Sequence, residues 1–257
     1  MWKTVKQLNK GDKSCTPTSI SVNNKLVSSP EKICDAMSAF FYNKIIIIRQ
    51  GFLKSRMDPI EIFKKLIPRC ESEFKLPLIT IKETQDIICK MKRSNTTGYD
   101  SISSRIIKII PEITSVYLTD CINATIREGI FPTCLKITRI LPISKPGLPV
   151  TEMSSFRPIS NLHFFEKCLE EHIKRHLKFH LDSNNIIMKE HHGGIARRST
   201  LTAKSLLDYR IGEGLDKDRL TAILSTDLSD AYDTVDHRIL IRTLEYYGIR
   251  GQGIVSD

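Results

Sequence analysis

The sequence predicts an α+β protein, on three observations. Helices with readable caps dominate the first half. Two extended, β-branched stretches follow, close enough to pair. The last third alternates helical patterns with an apolar run that ends in carboxylates, the arrangement of helices laid against a sheet.

Bulk properties bound the function. The chain has 257 residues, enough for one large domain or two small ones, and 40% hydrophobic content, enough for a packed core. A net charge of +10 and a pI near 9.2 favour a polyanionic partner, nucleic acid above all. The seven cysteines are dispersed, odd in number and without a Cys-x-x-Cys pair, which suits reduced thiols and excludes a disulfide frame or a zinc site. The N-terminus lacks a secretory pattern, and the longest apolar run, Ile45 to Ile48, is too short to cross a bilayer. A soluble protein with no membrane partner is expected, in cytoplasm and nucleus.

Taken in order, residues 1–73 read as a helical and linker segment and residues 74–257 as the main domain. Ser29-Pro30 starts a helix whose Ile33, Ala36, Met37, Phe40 and Phe41 share a face. Lys64, Lys65 and Arg69 read as a solvated helical face. Thr80 and Glu83 form a capping box for the next helix. A turn at Asn95–Asp100 precedes two helices, Ser101–Ile110 and Pro111–Glu128, the second closed by Gly129.

Ile137–Ile143 and Phe156–Ser160 predict a β-hairpin with Lys145 near its tip and Arg157 on the returning strand. Two fixed cations there suit a triphosphate, and plain surface charge is the simpler alternative. A helix from Asn161 to about Leu181 carries His172, His176 and His180 at i, i+4 and i+8. No carboxylate or cysteine completes that set, so structural or solvated roles are expected. Ser199 or Thr200 caps a helix that runs to Gly212 or Gly214, and Asp236 starts a last helix ended by Gly248. Between them, Arg219–Leu228 predicts a buried strand that delivers Asp227 to a sheet rim, where a divalent cation would sit.

Several stretches, in order, resemble the reverse transcriptases of non-LTR retrotransposons of the jockey and LINE-like kind. Gly98-Tyr99-Asp100-Ser101-Ile102 resembles the family's Gly-x-Asp-Gly-Ile element. Leu141-Pro142-Ile143-Ser144-Lys145 and Phe156-Arg157-Pro158-Ile159-Ser160 resemble the run that ends in Tyr-Arg-Pro-Ile-Ser, and Phe165–Glu170 resembles the helix after it. Asp227-Leu228-Ser229-Asp230-Ala231-Tyr232-Asp233 is similar to the family's first catalytic motif.

The resemblance implies right-hand polymerase fingers with a partial palm, and template-directed nucleotidyl transfer by two-metal chemistry. It implies Asp227 as the catalytic carboxylate, with Asp227 and the Leu228 carbonyl as ligands of Mg²⁺ or, alternatively, Mn²⁺. Lys145, Arg157, Asp230, Ala231 and Tyr232 would bind the nucleotide, and Arg197, Arg198, Ser199 and Thr200 the template. The implied partners are an RNA template, a DNA primer and deoxynucleoside triphosphates.

Two departures stand out. His191-His192-Gly193-Gly194-Ile195-Ala196-Arg197 replaces most of the usual Gln-x-Gly-Phe-Arg-x-Gly, and Asp230 replaces a usual Lys. The second, paired-aspartate motif is not found after Asp233, so a chain truncated before that motif is expected. A non-catalytic, basic RNA- or DNA-binding remnant is the competing reading.

Overall fold

Local capping chemistry sets most element boundaries in the computed structural model, which describes residues 17–52, 61, 64–65, 69–228, 231–232 and 234–250. Contacts group the described residues into two units, 17–52 with 75–174, and 61, 64–65 and 69–74 with 175–228, 231–232 and 234–250.

The first unit opens with a hairpin that the sequence reading missed, β1 (Ile20–Val22) and β2 (Lys25–Val27). Asn23 and Asn24 join them, both at positive φ (50° and 60°), as a tight two-residue hairpin turn requires. Helix α1 (Pro30–Phe52) follows with proline in its first turn, as expected. Ile20, Ile33, Met37 and Phe41 bury against Phe156 in one apolar cluster.

Helix α2 (Ile81–Lys90) has the expected capping box: Thr80 Oγ1 accepts from Glu83 N at 3.2 Å, and Glu83 Oε2 accepts from Thr80 N at 2.9 Å. At its other end Lys108 Nζ donates to the carbonyls of Cys89 and Met91, a cation placed on orphan helix carbonyls. The helix expected over Ser101–Ile110 shrinks to α3 (Ser104–Ile107). Ser101 sits at φ 58°, Asp100 Oδ1 accepts from Ile102 N, and Ser103 bridges to Thr97, so the chain is committed to a turn until Ser103.

Helix α4 (Pro111–Glu128) starts on its proline and ends on Gly129 at φ 65°. Strands β3 (Arg139–Ser144) and β4 (Phe156–Asn161) form the expected antiparallel hairpin, with Ile143 opposite Arg157. Helix α5 (Phe164–Ser183) begins three residues later than expected, because Asn161 still belongs to β4.

The main core of this unit gathers Ile79, Ile87, Ile88, Ile122, Phe164, Cys168 and Leu169. Each such side chain contributes about 1.5–3 kcal/mol on burial. Two polar contacts lie inside. Asn123 takes both backbone groups of Ile79, accepting from its N–H at 2.8 Å and donating to its carbonyl at 2.9 Å. Thr84 and Thr119 share a hydroxyl hydrogen bond of 2.7 Å.

In the second unit, helices α6 (Thr200–Asp216) and α7 (His237–Tyr246) begin on their expected caps, Ser199 and Asp236. Residues 70–74 pair with 246–250: Cys70 N donates to the Tyr246 carbonyl at 3.2 Å and Phe74 N to the Gly248 carbonyl at 2.8 Å. Gly248 is required there. Its φ is +93°, and a Cβ would lie 2.1 Å from the Ser72 carbonyl oxygen.

The buried strand expected at Arg219–Leu228 is not formed. The segment is irregular, every residue in it is exposed, and Leu224 keeps 90% of its surface. A central strand exists only through neighbours on its flanks, and among the described residues the strands pair only as β1–β2 and β3–β4.

Three outcomes are expected. Asn123→Ala strands the amide and carbonyl of Ile79 in the core, so urea unfolding should show a loss of about 2–4 kcal/mol. Burial pushes the Cys168 thiol from 9.0 up to about 12. Iodoacetamide at pH 8 should therefore spare Cys168 while labelling the exposed Cys34, Cys89, Cys121 and Cys134. Above about pH 9 an unfolded Cys168 loses a proton that the folded chain keeps, so stability should fall as pH rises towards 12.

Candidate functional site

The hairpin β3–β4 carries the two cations singled out above. Ladder pairing continues one step past β3, where Lys145 N donates to the Ser155 carbonyl at 2.7 Å. Lys145 therefore stands opposite Ser155, two positions along from the Ile143–Arg157 pair. The two-residue pleat puts Lys145 and Arg157 on one face as diagonal neighbours, typically about 7–8 Å apart. Phe156, next to Arg157, is 3% exposed and turns into the apolar cluster, which turns Arg157 to the other, exposed side. Lys145 Nζ donates one bond to the Ser154 carbonyl at 2.8 Å, fixing the ammonium at the hairpin mouth.

The loop before α6 is held from inside. Arg198 Nη1 donates to the carbonyls of Lys189 (2.7 Å) and His191, closing the loop on itself. Ser199 is occupied as a cap: its Oγ accepts from Thr202 N at 3.3 Å, and Thr202 Oγ1 accepts from Ser199 N at 2.8 Å. Thr200 is the first, exposed residue of the helix. Arg197 is exposed and sits at φ 65°, a left-handed position forced by the turn. Of the four residues picked for template contact, Arg198 and Ser199 thus have structural duties, and Arg197 and Thr200 face solvent.

Asp227 and Leu228 lie on the exposed irregular segment, with Ala231 and Tyr232 exposed beyond it, and Asp230 lies outside the described residues. Among the described residues no three His, Cys, Asp or Glu side chains gather as a metal site. A lone exposed carboxylate is a poor ion cage, so the described side chains do not by themselves fit a resident divalent ion.

The histidines of α5 are structural where they are buried. His172, fully buried, meets the Pro77 carbonyl through Nε2 at 2.8 Å. His180 meets the Tyr247 carbonyl at 2.8 Å and packs edge-on against Phe74, with ring centroids 5.5 Å apart. A cavity of about 400 Å³ opens between Met91, Lys92, Ser104, Phe164, Lys167 and Glu170. Partial burial and the neighbouring Glu166 raise the Glu170 carboxyl above its ordinary value, while Lys167 opposes them. Lysines and glutamates mix in its lining, and Lys145 and Arg157 are not part of it.

Sequence reasoning missed a buried polar cluster at the N-terminus of α5. Glu166 Oε2 accepts from His163 N at 2.6 Å and meets His163 Nδ1 at 2.9 Å. Beside it, Asn161 Nδ2 makes a part-buried hydrogen bond to the Thr97 carbonyl, and the exposed Arg139 Nη1 donates to Thr97 Oγ1 at 3.3 Å. A signal was present: His163 and Glu166 have the three-residue spacing of a reciprocal cap.

Residues 143–257 match the family model described as reverse transcriptase (RNA-dependent DNA polymerase), which includes Lys145, Arg157 and the Asp227 segment. The chain is similar to curated polymerases of insect mobile elements. One is the probable RNA-directed DNA polymerase from transposon BS of Drosophila melanogaster, 28% identical over 185 residues, 69% of this chain and 20% of that protein. Another is the RNA-directed DNA polymerase from mobile element jockey of Drosophila funebris, 26% identical over 159 residues, 62% of this chain and 17% of that protein. The jockey polymerase of Drosophila melanogaster is 24% identical over 194 residues, 74% of this chain and 21% of that protein. The chain thus spans about a fifth of the curated relatives it matches. These matches agree with the motif resemblance to non-LTR retrotransposon reverse transcriptases.

Removing the Arg198 guanidinium should loosen its loop. Arg198→Ala is expected to speed amide hydrogen exchange through residues 189–199 by about tenfold or more, the loss of two charge-assisted bonds, and to leave exchange in α2 and α4 unchanged.

Proposed function

We propose that this chain is a reverse transcriptase domain of a non-LTR retrotransposon, contributing fingers and the first palm motif to RNA-templated DNA synthesis. The observation that carries the reading is the register of β3–β4, which sets Lys145 and Arg157 on one face within the matched region. Arg157 offers a planar fork for two phosphate oxygens, and Lys145 offers a compact charge beside it. Together they grip the triphosphate of an incoming deoxynucleoside triphosphate. Tyr232 is the aromatic that would pack beneath the sugar, with Asp230 and Ala231 beside it, and Arg197 and Thr200 are the loop residues open to a template strand.

Reverse transcriptase domains generally use divalent metal ions. In our reading Mg²⁺ is that ion, two of them in a complete site, to which Asp227 and the Leu228 carbonyl would give only part of the oxygen ligand set. When bound, the ions would supply charge stabilisation at the transferring phosphoryl group. The chain's own part is to bind and orient the triphosphate, prepaying the entropy of alignment. Net charge +10 suits the polyanionic template and primer.

Deoxynucleoside triphosphate binding and primer extension on an RNA template test this reading. Arg157→Ala should weaken triphosphate binding by about tenfold or more, the worth of a charge-assisted pair. Asp227→Asn should leave that binding intact and, in a longer chain that carries the paired-aspartate motif, abolish metal-dependent extension. Salt-sensitive nucleic-acid binding that is indifferent to both substitutions, with no extension, would assign the chain to the binding-remnant class instead.

A further inference from the structure

We infer that Asn161, Gly98, His163 and Glu166 are positioning residues for the triphosphate grip, acting through the strand that carries Arg157. The inference rests on the reading of Lys145 and Arg157 as that grip. A two-stranded hairpin is marginal alone, so the direction in which Arg157 points is set by whatever holds the hairpin to the core. Strand β4 is held at both ends. Phe156, 3% exposed, is buried with Ile20, Ile33, Met37 and Phe41 at one end. Asn161, 9% exposed, donates to the Thr97 carbonyl at the other. Arg157 lies between these anchors, on the strand's exposed face.

The Thr97 end is itself fixed by close packing. Gly98 lies so near the start of α5 that a Cβ on it would meet His163 Cα and N at 3.0 Å. His163 is in turn held by Glu166, through its N–H at 2.6 Å and its ring at 2.9 Å, with both side chains under a tenth exposed. Thr138 Oγ1 donates to the Asn161 carbonyl at 3.2 Å, tying the other strand's approach to the same point. The part-buried Asn161–Thr97 hydrogen bond therefore ties the turn at Thr97–Gly98, itself packed against His163, to the strand that carries the guanidinium. A hydrogen bond shielded from water is costly to leave unmade, which holds the strand end in place. Displacing the strand by a fraction of an ångström at Asn161 moves Arg157 four residues away, and misplacement of about 1 Å is enough to cost about a hundredfold in a positioned reaction.

The test measures dTTP affinity and thermal melting of the full chain in Gly98→Ala, Asn161→Ala and Arg157→Ala, with Gly98→Ala/Arg157→Ala as a double-mutant cycle. Glu166→Ala and Glu166→Gln are compared alongside. Gly98→Ala and Asn161→Ala should stay folded and lose about five- to tenfold in dTTP affinity. The double variant should bind no worse than Arg157→Ala alone, because Gly98 acts through Arg157. Glu166→Gln, which keeps an acceptor for His163, should bind more tightly than Glu166→Ala. If Arg157→Ala weakens binding while folded Gly98→Ala and Asn161→Ala bind as the parent does, the positioning inference is overturned and the grip stands. Additive losses in the cycle, or unfolding of both single variants, also overturn it, since either makes the cluster a stability element only. If Arg157→Ala itself leaves affinity unchanged, the triphosphate reading falls.

Discussion

A hairpin of two six-residue strands does not hold its own direction in water, and in this chain the direction comes from burial at its ends. Phe156 enters an apolar cluster built by β1 and α1, and Asn161 enters a polar one built by the Thr97–Gly98 turn and the start of α5. The first anchor depends on area removed from water and tolerates small shifts. The second depends on hydrogen-bond geometry and does not. The helices α2, α4 and α5 matter to function mainly because their shared core fixes where α5 begins, and so where Asn161 must sit.

The same logic explains what could be read from the sequence. Caps are decided within four residues, so Thr80 with Glu83, Gly129, Ser199 and Asp236 were all legible and all found where expected. The β3–β4 hairpin was legible because its β-branched residues are close in sequence and pair with each other. Asn23-Asn24 carried a turn signal as plain as any of these, yet its flanking strands are three residues each, too short for an alternating pattern to stand out. The Ser101–Ile110 helix was overread, since composition there favours a helix while the Asp100 side chain and the Thr97–Ser103 bridge hold a turn. Arg198 donates to the carbonyls of Lys189 and His191, a contact no spacing rule anticipates.

Surface charge contributes less than its abundance suggests. Lys178–Asp182, Lys204–Asp208 and Lys217–Glu213 are i,i+4 pairs on exposed helix faces, each worth only about 0.3–0.5 kcal/mol and screened by salt. They neutralise charge locally. The two cations proposed for the triphosphate differ from these in being held by backbone: Lys145 through the Ser154 carbonyl and the ladder, Arg157 through a strand pinned at both ends.

The segment Arg219–Leu228 meets the opposite fate, and the contrast bears on how a site of this kind is assembled. Its composition asks for a sheet, with Leu220, Ile223, Leu224 and Leu228 apolar, and each of them is exposed. Nothing local can satisfy such a run, because a strand's backbone groups need partners from other segments. A cap or a two-residue turn completes itself; a central strand cannot. Asp227 therefore has the chemistry of a metal ligand without a sheet to hold it, whereas Arg157 has both its chemistry and its scaffold. The triphosphate grip is accordingly the part of the proposed site that can be tested on this chain by itself. Any test of Asp227 also measures whether its strand has found neighbours.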